Sequence, residues 1–349
     1  MARDTQMNAE YGFVDVMKFL LALLIVSSHY ISENAVGRIN SLVDYASSLY
    51  VIVVPFFFVC SGFLLFRKLN GGNEDWTKVK AYCKKILIMY VGWSVLYFLF
   101  IVLTWIRFGA TIESVFHYLL NALTYSTYKT IWFLPATVIG VLLTYFFIRK
   151  IGLKGAVAVG IVFYLIGCLG VSYSFLIPKN GALSKYNYIF SSTRNGFFNG
   201  FPFVLIGYLI AQKEKTGFNE VRMKNLFLTV ISGIVFVAEA LLIKWRGATN
   251  VNTLLFLLPF TYFFLRWCLG IRMITSERTT WLRKMSTDIF LCQRLFLSAL
   301  PALFPVSFFG KLLTGNPYVG WMAMLLLSLF TAAVLVELSK RNKWLAKFC

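Results

Sequence analysis

Ten apolar stretches run from one end of this 349-residue chain to the other, at roughly 15 to 32, 48 to 66, 86 to 106, 130 to 148, 155 to 176, 196 to 212, 225 to 243, 251 to 271, 287 to 306 and 319 to 337. About 20 apolar residues wound as a helix cross the roughly 30 Å of a bilayer's hydrocarbon, and the helix satisfies its own backbone polar groups there. No polar run between the stretches is long enough to form a soluble domain. The bulk numbers agree, with 59% hydrophobic residues, 14% charged residues and a mean hydropathy of +0.72. The expected fold is all-α: a polytopic membrane protein of about ten transmembrane helices in one bundle. Residues 1–349 are expected to form a single integral membrane domain, with no short repeat and no low-complexity stretch.

A formal charge of +20 would raise the question of nucleic acid in a soluble chain. Here the basic residues sit between apolar segments and favour one side. With the N-terminus inside, the inner side holds 23 of the 34 Lys and Arg residues. The positive-inside rule then places both termini in the cytoplasm, with the chain in the cell membrane, lipid as its surroundings and no nucleic acid as a partner. Lys18 and Arg294 lie inside segments. A cleaved signal peptide is the alternative for the first stretch, with Ala35-Val36-Gly37 as a weak cleavage site, but Asp15 and Lys18 interrupt its apolar run.

The six cysteines (Cys60, Cys83, Cys168, Cys268, Cys292, Cys349) fall inside segments or on the inner side, where disulfides are not expected. With two histidines and no cysteine cluster, no metal is expected. Trp and Tyr near segment ends, among them Trp76, Trp105, Trp245 and Trp344, suit headgroup anchors. The stretch 111 to 126 has the apolar spacing of a helix lying in the outer interface, and it carries His117, read as a plain interfacial histidine. Together with the polar and aromatic connection at 177 to 195, it is a candidate cover for an outward pocket.

Ionisable groups within membrane helices are costly to bury, and those that do not fix a helix end usually line a functional cavity. Lys18 and His29, with Asp15, share one stripe of the first segment, because eleven residues at 100° each bring the helix round about three turns; the two groups are then about 16 Å apart along the axis. Sorted by depth, the polar residues form two layers. Asp15, Lys18, Ser61, Lys84, Lys85, Gln293 and Arg294 are expected at the inner layer, and His29, Trp132, Arg194, Asn195 and Glu239 near the outer face. A basic inner mouth suits an anionic cytoplasmic ligand. The bland alternatives stay open. Lys84 and Lys85 fit simple positive-inside lysines, Lys18 a snorkelling lysine paired with Asp15, and His29 a structural histidine as well as a proton acceptor. Arg294 needs a partner such as Asp288 or Asp15, and Glu239 one such as Lys244 or Arg246.

Several stretches resemble the acyltransferase 3 family of membrane acyl-CoA-dependent transferases, in a form similar to the membrane domain of the serine racemases of vancomycin resistance. They are Asp15-x2-Lys18-x10-His29, Pro55-Phe56-Phe57-Phe58 with Ser61-Gly62, Ile131-Trp132-Phe133-Leu134-Pro135-Ala136, and Thr193-Arg194-Asn195-Gly196 leading to Pro202-Phe203 and Gly207. The resemblance implies that cytoplasmic acetyl-CoA or another acyl-CoA donates an acyl group to a hydroxyl of a cell-envelope carbohydrate or glycolipid. It implies His29 as the catalytic histidine and Lys18, where most members carry Arg, as the group that orients the donor. Lys84 and Lys85 would face the phosphates of coenzyme A, and Arg194 with Trp132 would belong to the pocket wall. Two positions depart from the family pattern: Gln293 stands where a second histidine is usual, and Ile88 where a second basic residue is common. The rival expectations are a transporter for a small polar solute such as serine and a non-catalytic membrane partner.

Overall fold

The computed structural model describes residues 11–35, 48–128, 130–178, 180–215, 222–248, 250–299 and 315–348. Val36 and Gly37 of the weak cleavage site, the last residues of the 287 to 306 segment, and Arg3, Arg38, Lys129, Lys179, Lys311 and Cys349 lie outside them. The described α-helices are α1 (Gly12–Tyr30), α2 (Val53–Phe66), α3 (Asp75–Phe108), α4 (Ile112–Thr124), α5 (Phe133–Gly170), α6 (Ala182–Phe190), α7 (Phe201–Lys215), α8 (Arg222–Trp245), α9 (Leu257–Leu269), α10 (Glu277–Arg294) and α11 (Pro317–Arg341), and all but α4 and α6 fall on the ten apolar stretches. Among the described residues, five stretches of helix are long and apolar enough to span a bilayer, Gly12–Glu33 and those of α3, α5, α8 and α11, and shorter apolar helices lie at Tyr50–Phe66 and Leu257–Leu269.

Two segments read as separate are one element. α5 runs 38 residues but breaks at Gly152, where a φ of 70° turns the chain at no steric cost only because the residue has no Cβ. Its two arms take the places expected for 130 to 148 and 155 to 176.

The short helices survive because others wrap them. Nearly all of α2 is buried, and it crosses α7 at backbone contact. A Cβ on Gly62 would strike the Val204 carbonyl, and one on Gly207 would strike the backbone of Val59 and Phe63. Small residues allow such close approach where no hydrophobic force drives one helix onto another in lipid. α9 begins six residues later than the hydropathy suggests. In the irregular stretch before it Thr253 and Leu254 are fully enclosed, and its backbone groups need partners from the protein. Ser172 Oγ accepts from Thr253 N at 2.9 Å, Tyr164 OH donates to the Leu254 carbonyl at 2.5 Å, and the Glu239 carboxylate accepts from the amides of Leu255 and Phe256 at 2.6 and 2.8 Å.

α4 has no buried residue and exposes Ile112, Phe116, Leu119 and Leu123. That is the build of a helix lying in an interface. His117, on the same helix, meets Glu113 one turn earlier at 3.7 Å. The five described cysteines are buried and free. Among the described residues, no three His, Cys, Asp or Glu side chains come together in a way that could hold a metal ion.

Candidate functional site

α1 and α10 form the spine of the site. They pack through Ala22, Val26, Met285 and Ile289, and each carries polar groups at both ends of that contact. α10 starts from a reciprocal cap, Ser276 with Thr279, and both helices run on into a π-helical turn, at Ile31–Ala35 and Leu295–Ala299.

At the first end, Asp15 is buried and its Oδ2 lies 3.7 Å from Arg283 Nη1. The pairing of Asp15 with Lys18 expected from their spacing yields to this partner on α10. Lys18 extends its ammonium over the Phe57 ring, 5.2 Å from the centroid, and donates no hydrogen bond and forms no ion pair among the described residues. Cys60, Asp15, Arg283 and Lys85 lie within electrostatic reach of it, and Tyr82 is hydrogen-bonded to Ser61 beside Cys60. Lys68, in the loop after α2, is held below the ordinary lysine range by burial and by the charges of Arg67 and Arg283. The inner layer therefore gathers Asp15, Lys18, Ser61 and Lys85 as expected and adds Arg283. Lys84 is one residue and 100° away on α3, and it lines a separate apolar groove.

At the other end is a polar cavity of about 200 Å³, bordered by His29, Tyr50, Tyr125, Trp132, Arg194 and Arg294, with Thr130 and Phe290. Gln293 and Arg294 belong here rather than to the inner layer, because the helical stretch of α10 extends to residue 294 and carries them to the far end. His29 Nδ1 lies 3.0 Å from Gln293 Oε1, and Gln293 Nε2 donates to the Phe290 carbonyl at 3.1 Å. That second bond fixes the amide. Its NH2 must face the carbonyl, so its oxygen faces His29, and Nδ1 is assigned the proton. The lone pair then sits on Nε2, free to accept.

Arg294 Nε donates to Thr130 Oγ1 at 3.0 Å and its Nη1 pairs with Glu33. Neither Asp288 nor Asp15 supplies the partner, since Asp15 lies at the opposite end of α1. The Arg194 guanidinium stands 4.9 Å over the Trp132 ring, and Tyr125 stacks on that same ring with the centroids 5.9 Å apart. Burial pushes the Tyr125 phenol up to about 12, so it remains a neutral donor. Tyr97 is fully buried beneath, stacked on Tyr128 at 4.1 Å and donating to the Leu291 carbonyl at 2.5 Å.

Two expected pocket residues do structural work. Asn195 Oδ1 accepts from the amides of Phe197 and Phe198, and its Nδ2 donates to Tyr186 OH and Ser192 O, so all its polar atoms go to starting the turn Gly196–Gly200 ahead of α7. Glu239 spends its carboxylate on Leu255, Phe256 and Tyr173 rather than on Lys244 or Arg246. Residues with no sequence signal of their own are Tyr50, Tyr125, Thr130 and Glu33, which reach the cavity from loops and helix ends. Arg283, Phe290 and Arg294 did leave a signal, since their spacing of seven and four puts them on one helical stripe.

Three π-helical turns, Ile31–Ala35, Gly196–Gly200 and Leu295–Ala299, adjoin His29, Arg194 and Arg294. Such turns are uncommon and concentrate at functional sites. Between the two layers lies an aromatic septum. Phe57, under Lys18, is 6.0 Å from Phe290, which meets Phe133 at 4.4 Å.

Residues 11–337 match the acyltransferase 3 family, described as an acyltransferase domain. Two amino-acid racemases of Enterococcus faecalis are 27% and 28% identical over 290 and 232 residues, covering 80% and 64% of this chain. A serine/alanine racemase of Enterococcus gallinarum is 26% identical over 260 residues, or 72% of this chain. The matches cover only 38%, 32% and 36% of those racemases, so this chain spans about a third of their length. No solved structure matches. With the family pattern extending over nearly all of its helices, the chain belongs to the acyltransferase 3 family of membrane proteins.

Proposed function

We propose that the chain is one integral membrane O-acyltransferase domain, in the cell membrane with both termini cytoplasmic, that moves an acyl group, in the simplest case acetyl, from cytoplasmic acyl-CoA to a hydroxyl of an envelope carbohydrate or glycolipid. The observation that carries the reading is the pairing of His29 with Gln293 on a polar cavity, on the same helix that presents an unpaired Lys18 to the basic end.

In this mechanism Lys18, with Lys85 and Arg283 close by, attracts the negatively charged donor, because a phosphate oxygen gains most from a cation where water is scarce. The acyl-bearing arm passes Phe57 and Phe290 to the cavity. His29 Nε2 takes the proton of the acceptor hydroxyl as its oxygen attacks the thioester carbonyl. The carbon–sulfur bond breaks, and the coenzyme A thiolate leaves with the proton returned by His29. Arg194, Trp132 and the neutral Tyr125 phenol bind the acceptor and the developing oxyanion.

The test is transfer or hydrolysis of labelled acetyl-CoA by purified protein. Wild type is expected to turn over and His29→Ala is expected not to; equal turnover in both removes the mechanism.

A second reading has one observation in its favour. The outer cavity is small and bordered by two arginines, which suits a solute with a carboxylate, and the relatives are named for amino acids. Uptake of labelled serine into proteoliposomes without acyl-CoA would establish transport, whereas saturable coenzyme A binding with no uptake would exclude it.

A further inference from the structure

One apolar recess is not part of the polar path. It is an open groove of about 730 Å³ between α3, α5 and the C-terminal turn. Leu87, Val91 and Val95 of α3 form one wall and Val138 and Leu142 of α5 another. The third wall is a short turn after α11. Trp93 Nε1 donates to the Phe348 carbonyl at 3.1 Å, and the Phe348 ring lies against Gly92, where a Cβ would collide with it. Gly92 is thus what lets this turn seat on α3.

One end of the recess is cationic. Lys80 and Lys84 border it together with Trp76 and Trp344, and the Lys80 ammonium lies 5.6 Å over the Trp76 ring. Lys84 is exposed and makes no hydrogen bond or ion pair among the described residues. The rest of the lining is apolar as far as Val95. From Lys84 to Val95 is eleven residues, about 16 Å of helix, which is the hydrocarbon depth of one leaflet when the whole core is about 30 Å. Tryptophans favour the headgroup level, and here two of them stand beside the two lysines. A phosphate at Lys80 and Lys84 with one acyl chain laid along Leu87, Val91 and Val95 satisfies the charge, the depth and the apolar walls together.

We propose that this groove binds one anionic phospholipid of the leaflet in which α3 begins, its phosphate between Lys80 and Lys84 and an acyl chain in the recess. This site is distinct from the donor path and does not depend on the catalytic reading. A juxtamembrane lysine contributes on the order of 1 kcal/mol toward an anionic lipid surface, so the pair supports a preference of about tenfold or more over a zwitterionic lipid.

The test is native mass spectrometry of the full chain released from micelles holding equal amounts of palmitoyl-oleoyl phosphatidylglycerol and palmitoyl-oleoyl phosphatidylcholine. Wild type is expected to retain one phosphatidylglycerol in about tenfold preference, with the adduct unaffected by millimolar inorganic phosphate. Lys80→Gln/Lys84→Gln is expected to bring the preference near parity, whereas Lys150→Gln/Lys154→Gln, an equal charge change at lysines that line no part of the groove, leaves it intact. Val91→Trp is expected to fill the recess and lower retention of both lipids. These side chains are all exposed, so folding is preserved. Equal retention of the two lipids by wild type, the same loss in both double variants, or full retention in Val91→Trp would each overturn the proposal.

Discussion

The two ends of α1 hold their polar groups in opposite ways. Around Lys18 the contacts are long and incomplete: Asp15 and Arg283 approach only to 3.7 Å, and the Lys18 ammonium has a ring beneath it and no anion against it. Around His29 every bond is short and committed, from Nδ1 to Gln293, from Gln293 to the Phe290 carbonyl, and from Arg294 to Thr130 and Glu33. A loosely satisfied cationic site gains by receiving a charged ligand. One whose imidazole is held at Nδ1 with Nε2 left open is oriented before anything binds, which is what a base that must be aimed requires. In the proposed function the first is the binding end and the second the chemical end.

The largest expected effect tests the chemical end. His29→Ala should lower acyl transfer by about 10²- to 10⁴-fold, the usual worth of a general base, while acyl-CoA binding measured at equilibrium stays within about twofold. Gln293→Leu comes next. It keeps the side-chain volume but leaves the Nδ1 proton without an acceptor, releasing the choice of tautomer, and should reduce kcat about 10- to 100-fold with little change in KM for acyl-CoA. Gln293→His can still accept at one ring nitrogen and should recover most of that loss; if it is as impaired as the leucine variant, the tautomer argument fails.

Lys18→Ala addresses the binding end. The expectation is the reverse split, with KM for acyl-CoA up about tenfold and kcat nearly unchanged, as for loss of a charge-assisted contact to phosphate. Lys18→Arg should behave as wild type. A fall in kcat alone would merge the two ends into one.

The smallest effect on turnover is expected at Glu239. Glu239→Ala leaves the amides of Leu255 and Phe256 just ahead of α9 without their carboxylate acceptor, at a cost of up to about 1–3 kcal/mol each, so thermal unfolding in detergent should move down by several degrees. Activity per folded molecule should stay unchanged. Lost activity at full stability would return Glu239 to the acceptor pocket.

Much of this was legible beforehand. Apolar length gave the ten segments, and the eleven-residue spacing gave the Lys18–His29 stripe, because both depend only on local helix geometry. Segment order grouped Arg194 and Trp132 with His29, and the three border one cavity. Depth failed at Gln293 and Arg294, where the apolar window of 287 to 306 hid a helix that begins at Glu277 and carries those residues to the far end. It failed also for Glu239, whose carboxylate accepts from main-chain amides of the irregular stretch before α9. A backbone donor leaves no mark in side-chain spacing.

The amino-acid order alone thus determined that the chain must enter a bilayer as helices, and which residues share a helical face, since burial in hydrocarbon and 3.6 residues per turn admit little else. Which faces meet was decided only by the tertiary structure. Gly62 against Val204 and Gly207 against Val59 set how closely α2 and α7 approach. The parallel run of α1 beside α10 brings Arg283 to Asp15 and Gln293 to His29, contacts between residues more than 260 positions apart. Their pairing rests on packing across the whole bundle, and no local pattern encodes it.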